Sequence, residues 1–178
     1  MNPQLEKCLE LLHGKISDAV YNDLFANLEL SNVTDRRVSV LFPAGKDVKM
    51  EIVGDSNLKI RADRMHLANI VCNLLENAVK YSVEAVTIRI DYRMCEDGML
   101  QITVADNGFG IVKADQRYVF DKFYRSETVK DKSIPGIGLG LSYVKLLVEA
   151  HGGTITFEST EGQGTTFTII IPQTDGKD

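Results

Sequence analysis

Between residues 64 and 81, Asn73, Asn77 and Lys80 fall at i, i+4 and i+7. On a helix that spacing stacks them on one side. Two amides and an ammonium in a row suit a polyphosphate, because an amide oxygen is a hard ligand for Mg²⁺ and an ammonium pairs with phosphate oxygens. The competing reading is a solvated face carrying a Glu76–Lys80 helix pair worth roughly a few tenths of a kcal/mol.

Asp106-Asn107-Gly108-Phe109-Gly110 follows directly on the strand expected from Leu100 to Ala105. A carboxylate at a strand end can accept a hydrogen bond from an adenine amino group, and glycines beside it let backbone approach a flat base. An ordinary Asn-Gly turn would look the same. Gly136-Ile137-Gly138-Leu139-Gly140-Leu141 opens a second helical pattern, and glycine amides leading into a helix N-terminus form a ready anion site. The spacing is neither a dinucleotide fingerprint, since GxGxxG and its βαβ unit are missing, nor a Walker loop, since GxxxxGK[ST] is missing.

The elements that must position these groups are legible as periodicities. Residues 3–30 read as an amphipathic helix through Leu5, Leu9, Leu12, Ile16, Val20, Leu24 and Leu28. Short β-rich runs follow at Val38–Phe42, Val48–Val53 and Leu58–Ile60, separated by turn-like stretches. The clearest helix covers 64–81, with Leu67, Ile70, Val71, Leu74, Leu75 and Ala78 as its apolar stripe. Strands are expected at Ala85–Arg93 and Leu100–Ala105, a helix from Leu139 to Ala150 closed by His151-Gly152-Gly153, and a final strand pair at Thr154–Ser159 and Thr165–Ile171. Helices and strands interleave while the last strands join through tight turns. The expected fold is therefore an α+β two-layer sandwich, a mixed sheet covered by helices on one face. The polar segment 106–137 is long for an irregular connection, which marks a lid or another functional loop.

The chain of 178 residues is 44% hydrophobic and 25% charged, with a net charge of −5. That profile is globular, and without clustered Lys and Arg it disfavours nucleic-acid or anionic-membrane surfaces. The three cysteines, Cys8, Cys72 and Cys95, form no CxxC pair, so neither a disulfide framework nor a zinc site follows. A reduced thiol and a cytoplasmic location are expected. No apolar run approaches the roughly 20 residues of a membrane span, which leaves the parent protein free to be anchored in the inner membrane through other segments.

Together the motifs resemble the catalytic ATP-binding domain of sensor histidine kinases, which shares the Bergerat fold with DNA gyrase, mismatch-repair proteins and heat-shock chaperones. Asn73-Leu74-Leu75-Glu76-Asn77-Ala78-Val79-Lys80-Tyr81-Ser82 is similar to its N box, and Asp106–Gly110 to its first glycine box. Phe120-Asp121-Lys122-Phe123-Tyr124-Arg125 resembles the F box, Gly136–Leu141 the second glycine box, and Gly162-Gln163-Gly164-Thr165-Thr166-Phe167 the closing glycine-threonine motif. The order of the boxes across roughly residues 60–172 makes the resemblance specific. It implies an N-terminal helical segment or linker at 1–35, the catalytic domain at 36–172 and a tail at 173–178.

The resemblance also implies ATP and Mg²⁺ as cofactors and gives each matching position a role. Asn77 would ligate Mg²⁺, and Asn73, Lys80 and Tyr81 would contact phosphates or ribose, with Asn73, Asn77 and Lys80 as the catalytic set. Asp106 would bind the adenine amino group, with Gly108 and Gly110 shaping the pocket. Residues 111–135 would be a flexible ATP lid anchored by Phe120 and Phe123, with Arg125 near the phosphates. Gly136, Gly138 and Gly140 would hinge the lid and offer amides to phosphate, with Leu141 and Thr166 completing the site.

One departure bears on the reaction. Gyrase-like ATPases carry a glutamate one helical turn before the Mg²⁺-binding asparagine, where it activates water. Here Asn73 stands in that place, an amide that cannot act as a base, and Glu76 points about 100° away. Transfer to another nucleophile is favoured, and in this family it is a histidine. His13, His66 and His151 lack an acceptor-like context. The expected partners are thus a histidine phosphoacceptor and dimerisation domain of the parent kinase and, downstream, a response-regulator receiver domain. The rival readings are a water-using ATPase or serine-phosphorylating anti-sigma-type kinase, and a non-catalytic nucleotide-sensing or docking module.

Overall fold

The computed structural model describes residues 36–41, 47–54, 58, 64–82, 85–126, 134 and 136–172. The helix expected at 3–30, the tail at 173–178 and His13 lie outside the described residues. Six strands form one mixed sheet in the order β1-β2-β3-β4-β6-β5: β1 Arg36–Leu41, β2 Asp47–Gly54, β3 Ala85–Met94, β4 Met99–Asp106, β5 Thr154–Thr160 and β6 Gly164–Pro172. The helices are α1, Arg64–Lys80, and α2, Gly140–Ala150. Only β2 and β3 pair in parallel among these strands. A parallel pair needs a crossover connection, and α1 lies within it.

Alternation decides which face each strand buries. Val86, Ile88, Ile90 and Tyr92 of β3, Leu100, Ile102 and Val104 of β4, and Phe167, Ile169 and Ile171 of β6 all point into the core. The opposite face carries exposed Thr87, Arg89 and Arg93. There Arg89 forms a bidentate bond to Asp91 at 2.8 and 2.9 Å and reaches Glu51 at 3.3 Å. Among the described residues the helices cover the apolar face alone, the two-layer arrangement anticipated from the interleaved pattern.

Helix α1 is more buried than its stripe suggests. Leu67, Ile70, Leu74 and Ala78 are buried as expected, but so are Asn69, Cys72 and Val79. Besides lying against β3 and β4, α1 contacts α2, whose Val144, Leu147 and Val148 are buried. Sandwiching between two neighbours buries flanks that local periodicity assigns to solvent. The side bearing exposed Glu76 remains open. Leu58, expected in a strand, lies outside regular secondary structure and packs on the core instead. Among the described residues, no helix is long and apolar enough to cross a membrane.

Candidate functional site

Asp106 ends the core-facing row of β4, after Leu100, Ile102 and Val104. Its Oδ1 accepts the N–H of Gly108 at 2.8 Å and that of Thr165 at 3.3 Å. Burial pushes its carboxyl above the ordinary aspartate range, and the two backbone donors oppose that rise. The neighbouring Asn107 Oδ1 accepts the Thr87 N–H at 2.8 Å. The Asn-Gly turn is therefore pinned to β3 while Asp106 faces inward.

Close packing explains the glycines of this turn. A Cβ on Gly108 would stand 2.5 Å from the Tyr81 carbonyl, the same carbonyl that accepts the Phe109 N–H at 2.8 Å. Gly110 has φ 66° and lies against the Thr160 carbonyl, so neither its backbone nor its space admits a side chain. The segment is stitched on one side to the end of α1 and on the other to the β5–β6 turn, where Gly162 N–H donates to Phe109 O at 2.7 Å.

A cavity of about 400 Å³ opens beside Asp106, within the size range of small-molecule sites. Asn77 and Tyr81 of α1, Thr165 and Phe167 of β6, Leu141 of α2, and Tyr124 and Arg125 from the connection between β4 and α2 all line it. The Asn77 Nδ2 is buried without a hydrogen-bond partner. Asn73 Nδ2 is engaged with Asn69 O at 2.8 Å. A Cβ on Gly140 would sit 3.2 Å from Asn73 Oδ1 and 3.9 Å from Asn77 Nδ2, so the missing side chain lets the amide face of α1 meet the start of α2. The first amides of α2 have no carbonyl a turn behind them, and Leu139 supplies no side-chain cap. That leaves an N-terminus with free donors and positive dipole next to an unsatisfied amide.

Asn73, Lys80, Gly136, Gly138 and Gly140 are not walls of the cavity. They run along the seam that adjoins it through Asn77 and Leu141. A Cβ on Gly136 would lie 3.5 Å from Lys80 Nζ, so Lys80 reaches the second glycine box. Gly138, at φ 75°, packs against the Phe123 and Tyr124 backbone.

The expected lid is partly folded. A 3₁₀ turn at Gln116–Tyr118 breaks it. Gln116 Nε2 donates to both Ile111 O and Ser159 O at 3.0 Å, and Ser159 Oγ accepts the Ile111 N–H at 2.8 Å. Phe120 packs edge-on against Phe157 at 5.8 Å. Phe123 does not anchor by its ring, which is 71% exposed. Its backbone holds instead, at φ 64°, with its N–H donating to Gly138 O at 2.9 Å. Arg125 lines the cavity, with Nη1 donating to Gly136 O at 3.1 Å and Nη2 to Ile134 O. Its Nε is buried and unpartnered.

Of the two adjacent threonines, Thr165 lines the cavity and Thr166 does not. Cross-strand register sets Thr165 opposite Asp106 and Thr166 opposite Ala105. Thr165 shares the inward phase of Phe167, Ile169 and Ile171, and Thr166 takes the other face. Strand alternation separates the two threonines onto opposite faces, and the pairing of β6 with β4 sets which of them meets Asp106. Asp115 and Tyr124, both cavity-lining, have no periodic signal. His66 and His151 do not line the cavity. Their rings meet edge-on at 5.2 Å, and His151 Nδ1 lies 2.7 Å from Leu147 O near the end of α2.

A buried carboxylate sharing a cavity with Asn77 and the first turn of α2 defines a nucleotide-binding domain. The chain belongs to the family of histidine kinase-, DNA gyrase B- and HSP90-like ATPases, whose model matches residues 62–175. Over 118 residues it is 44% identical to the sensor protein RprX of Bacteroides fragilis, covering 66% of this chain and 23% of the relative. It is 42% identical over 120 residues to the sensor histidine kinase WalK of Bacillus subtilis, covering 66% and 20%. The chain thus spans less than a quarter of either sensor. Among solved structures it resembles a mycobacterial sensor histidine kinase, MprB, with TM-score 0.63 and 28% identity over 71% of this chain and 84% of that one. Within the wider family, the chain is of the histidine-kinase catalytic type.

Proposed function

We propose that this domain binds Mg²⁺-ATP and presents the γ-phosphoryl group to a histidine on a separate phosphoacceptor and dimerisation domain, from which a response-regulator receiver domain would take it. The observation that carries the reading is the lining of one cavity, which brings together Asp106, Asn77, Arg125 and Leu141 at the start of α2. Asp106 would accept from the adenine amino group. Asn77, Arg125 and the first amides of α2 would meet the phosphates.

The residues fit the cation. Asn77 carries a buried amide atom without a partner, and the two ends of an amide exchange by rotation. With its oxygen turned inward it is a hard ligand for Mg²⁺. When bound, the ion would neutralise phosphate charge. The protein's own contribution is positioning and fixed dipoles: Asp106 would orient the base, Lys80 and the α2 amides would draw phosphate oxygens, and the strap at 111–126 between β4 and α2, whose Phe120 packs on Phe157, would exclude water.

Asn73 supports transfer over hydrolysis. Its amide nitrogen is engaged with Asn69 O, and an amide cannot take a proton from water. Calorimetry and phosphate release, measured together, test the reading. Mg²⁺-ATP should bind while the isolated chain releases phosphate very slowly. Brisk release would move the domain to the hydrolytic branch of its family, and failure to bind would sink the assignment.

A further inference from the structure

The connection between β4 and α2 contains a pair that the nucleotide reading does not use. Tyr124 Oη donates to Asp115 Oδ1 at 2.7 Å, and both residues line the cavity. Asp115 is itself fixed: its N–H donates to Val112 O and its carbonyl accepts the Tyr118 N–H, each at 2.9 Å. The Tyr124 ring leans on the Tyr118 ring at 5.2 Å, and Arg117 covers Tyr118 at 4.6 Å. The residue before Tyr124 is held by the Phe123 N–H bond to Gly138 O. The residue after it is Arg125.

Arg125 is the only cation among the described residues lining this cavity, whose other charged lining groups are Asp106, Asp115 and Glu161. A triphosphate entering beside those carboxylates depends on where that guanidinium stands. Two of its nitrogens hold the carbonyls of Ile134 and Gly136, and Nε stays buried without a partner. It follows Tyr124 directly in the chain.

We propose that Tyr124 is a positioning residue whose bond to Asp115 ties the two limbs of the strap and thereby fixes Arg125 for the terminal phosphate. The inference rests on the nucleotide reading above. It goes beyond it by assigning selectivity for a triphosphate over a diphosphate to a tyrosine–aspartate pair to which that reading gives neither the base nor the metal. A charge-assisted bond of this length is of the stronger class. Its loss lets Arg125 drift, and the penalty falls on the ligand with the additional phosphate.

The test is calorimetric affinity for a non-hydrolysable ATP analogue and for ADP, both with Mg²⁺. Tyr124→Phe keeps the ring on Tyr118 and removes only the hydroxyl. It should lower the triphosphate-to-diphosphate affinity ratio about fivefold or more, with ADP affinity nearly unchanged. Asp115→Ala should do the same. Asp115→Asn retains an acceptor oxygen and should stay near the wild-type ratio. The double variant Tyr124→Phe/Asp115→Ala should be no worse than either single one, as for two ends of one interaction. An unchanged ratio in Tyr124→Phe, or losses that add in the double variant, overturns the proposal while leaving the nucleotide site intact. A wild-type chain that binds neither nucleotide overturns the functional reading, and this proposal with it.

Discussion

Asp106 and Thr165 stand opposite each other on β4 and β6, and the Thr165 N–H donates to Asp106 Oδ1 at 3.3 Å. With the Gly108 N–H on the same oxygen, the carboxylate is oriented from two sides. No described residue bonds its second oxygen, the one available to a base.

The first prediction concerns pH. Burial raises the Asp106 carboxyl above its ordinary value, so the folded protein takes up this proton more readily than the unfolded chain does. Asp106 therefore favours folding in its protonated form, and that contribution is lost as pH rises through the raised value. Nucleotide binding runs the other way, since protonation removes a carboxylate acceptor. Asp106→Asn should weaken ATP by about 1.5–3 kcal/mol at neutral pH, because its oxygen can still take the two N–H groups and its NH₂ would then face an adenine donor. The gap between wild type and variant should close as pH falls, beginning above the ordinary aspartate range. A gap constant with pH in a calorimetric series would remove the carboxylate from base recognition.

The second concerns the metal. Asn77 lines the cavity and Glu76, adjacent in sequence, is exposed. Asn77→Ala should abolish most of the Mg²⁺ dependence of ATP binding, and Glu76→Ala should change it little. Titrations in which Glu76→Ala does more harm would reverse the assignment of the ligand face.

The elements that carry the site were legible because their signals are local. The alternation of Val86, Ile88, Ile90 and Tyr92 and the stripe on α1 each belong to one element. Choosing between Thr165 and Thr166 needs the pairing of β6 with β4 as well as strand phase, and two adjacent threonines in one motif do not reveal it. Phe120 and Phe123 look equivalent at a spacing of three, but the backbone turns to φ 64° at Phe123 and sends the second ring outward. The Asp115–Tyr124 bond closes across an irregular segment with no period to read.

The third prediction follows from that turn. Phe120 is partly buried against the core, so Phe120→Ala should cost roughly 1.5–3 kcal/mol of stability. Phe123 buries little and holds a backbone conformation that disfavours most side chains. Phe123→Asn should leave stability unchanged or raise it by less than about 1 kcal/mol, since asparagine tolerates that region. Denaturant midpoints showing Phe123→Asn as the more destabilised of the two would mean that its ring is packed.

The central claim is transfer to a histidine in trans. With radiolabelled ATP and Mg²⁺, the chain alone should form no acid-labile phosphohistidine: His66 and His151 sit away from the cavity and His13 has Gly14-Lys15 behind it. Added separately, a histidine-bearing phosphoacceptor domain of the parent protein should become labelled, slowly, because tethering would otherwise supply a high effective concentration. Asn77→Ala should stop the labelling. Tight ATP binding by the wild-type chain with no label reaching that domain would contradict the account and make this a nucleotide-sensing module.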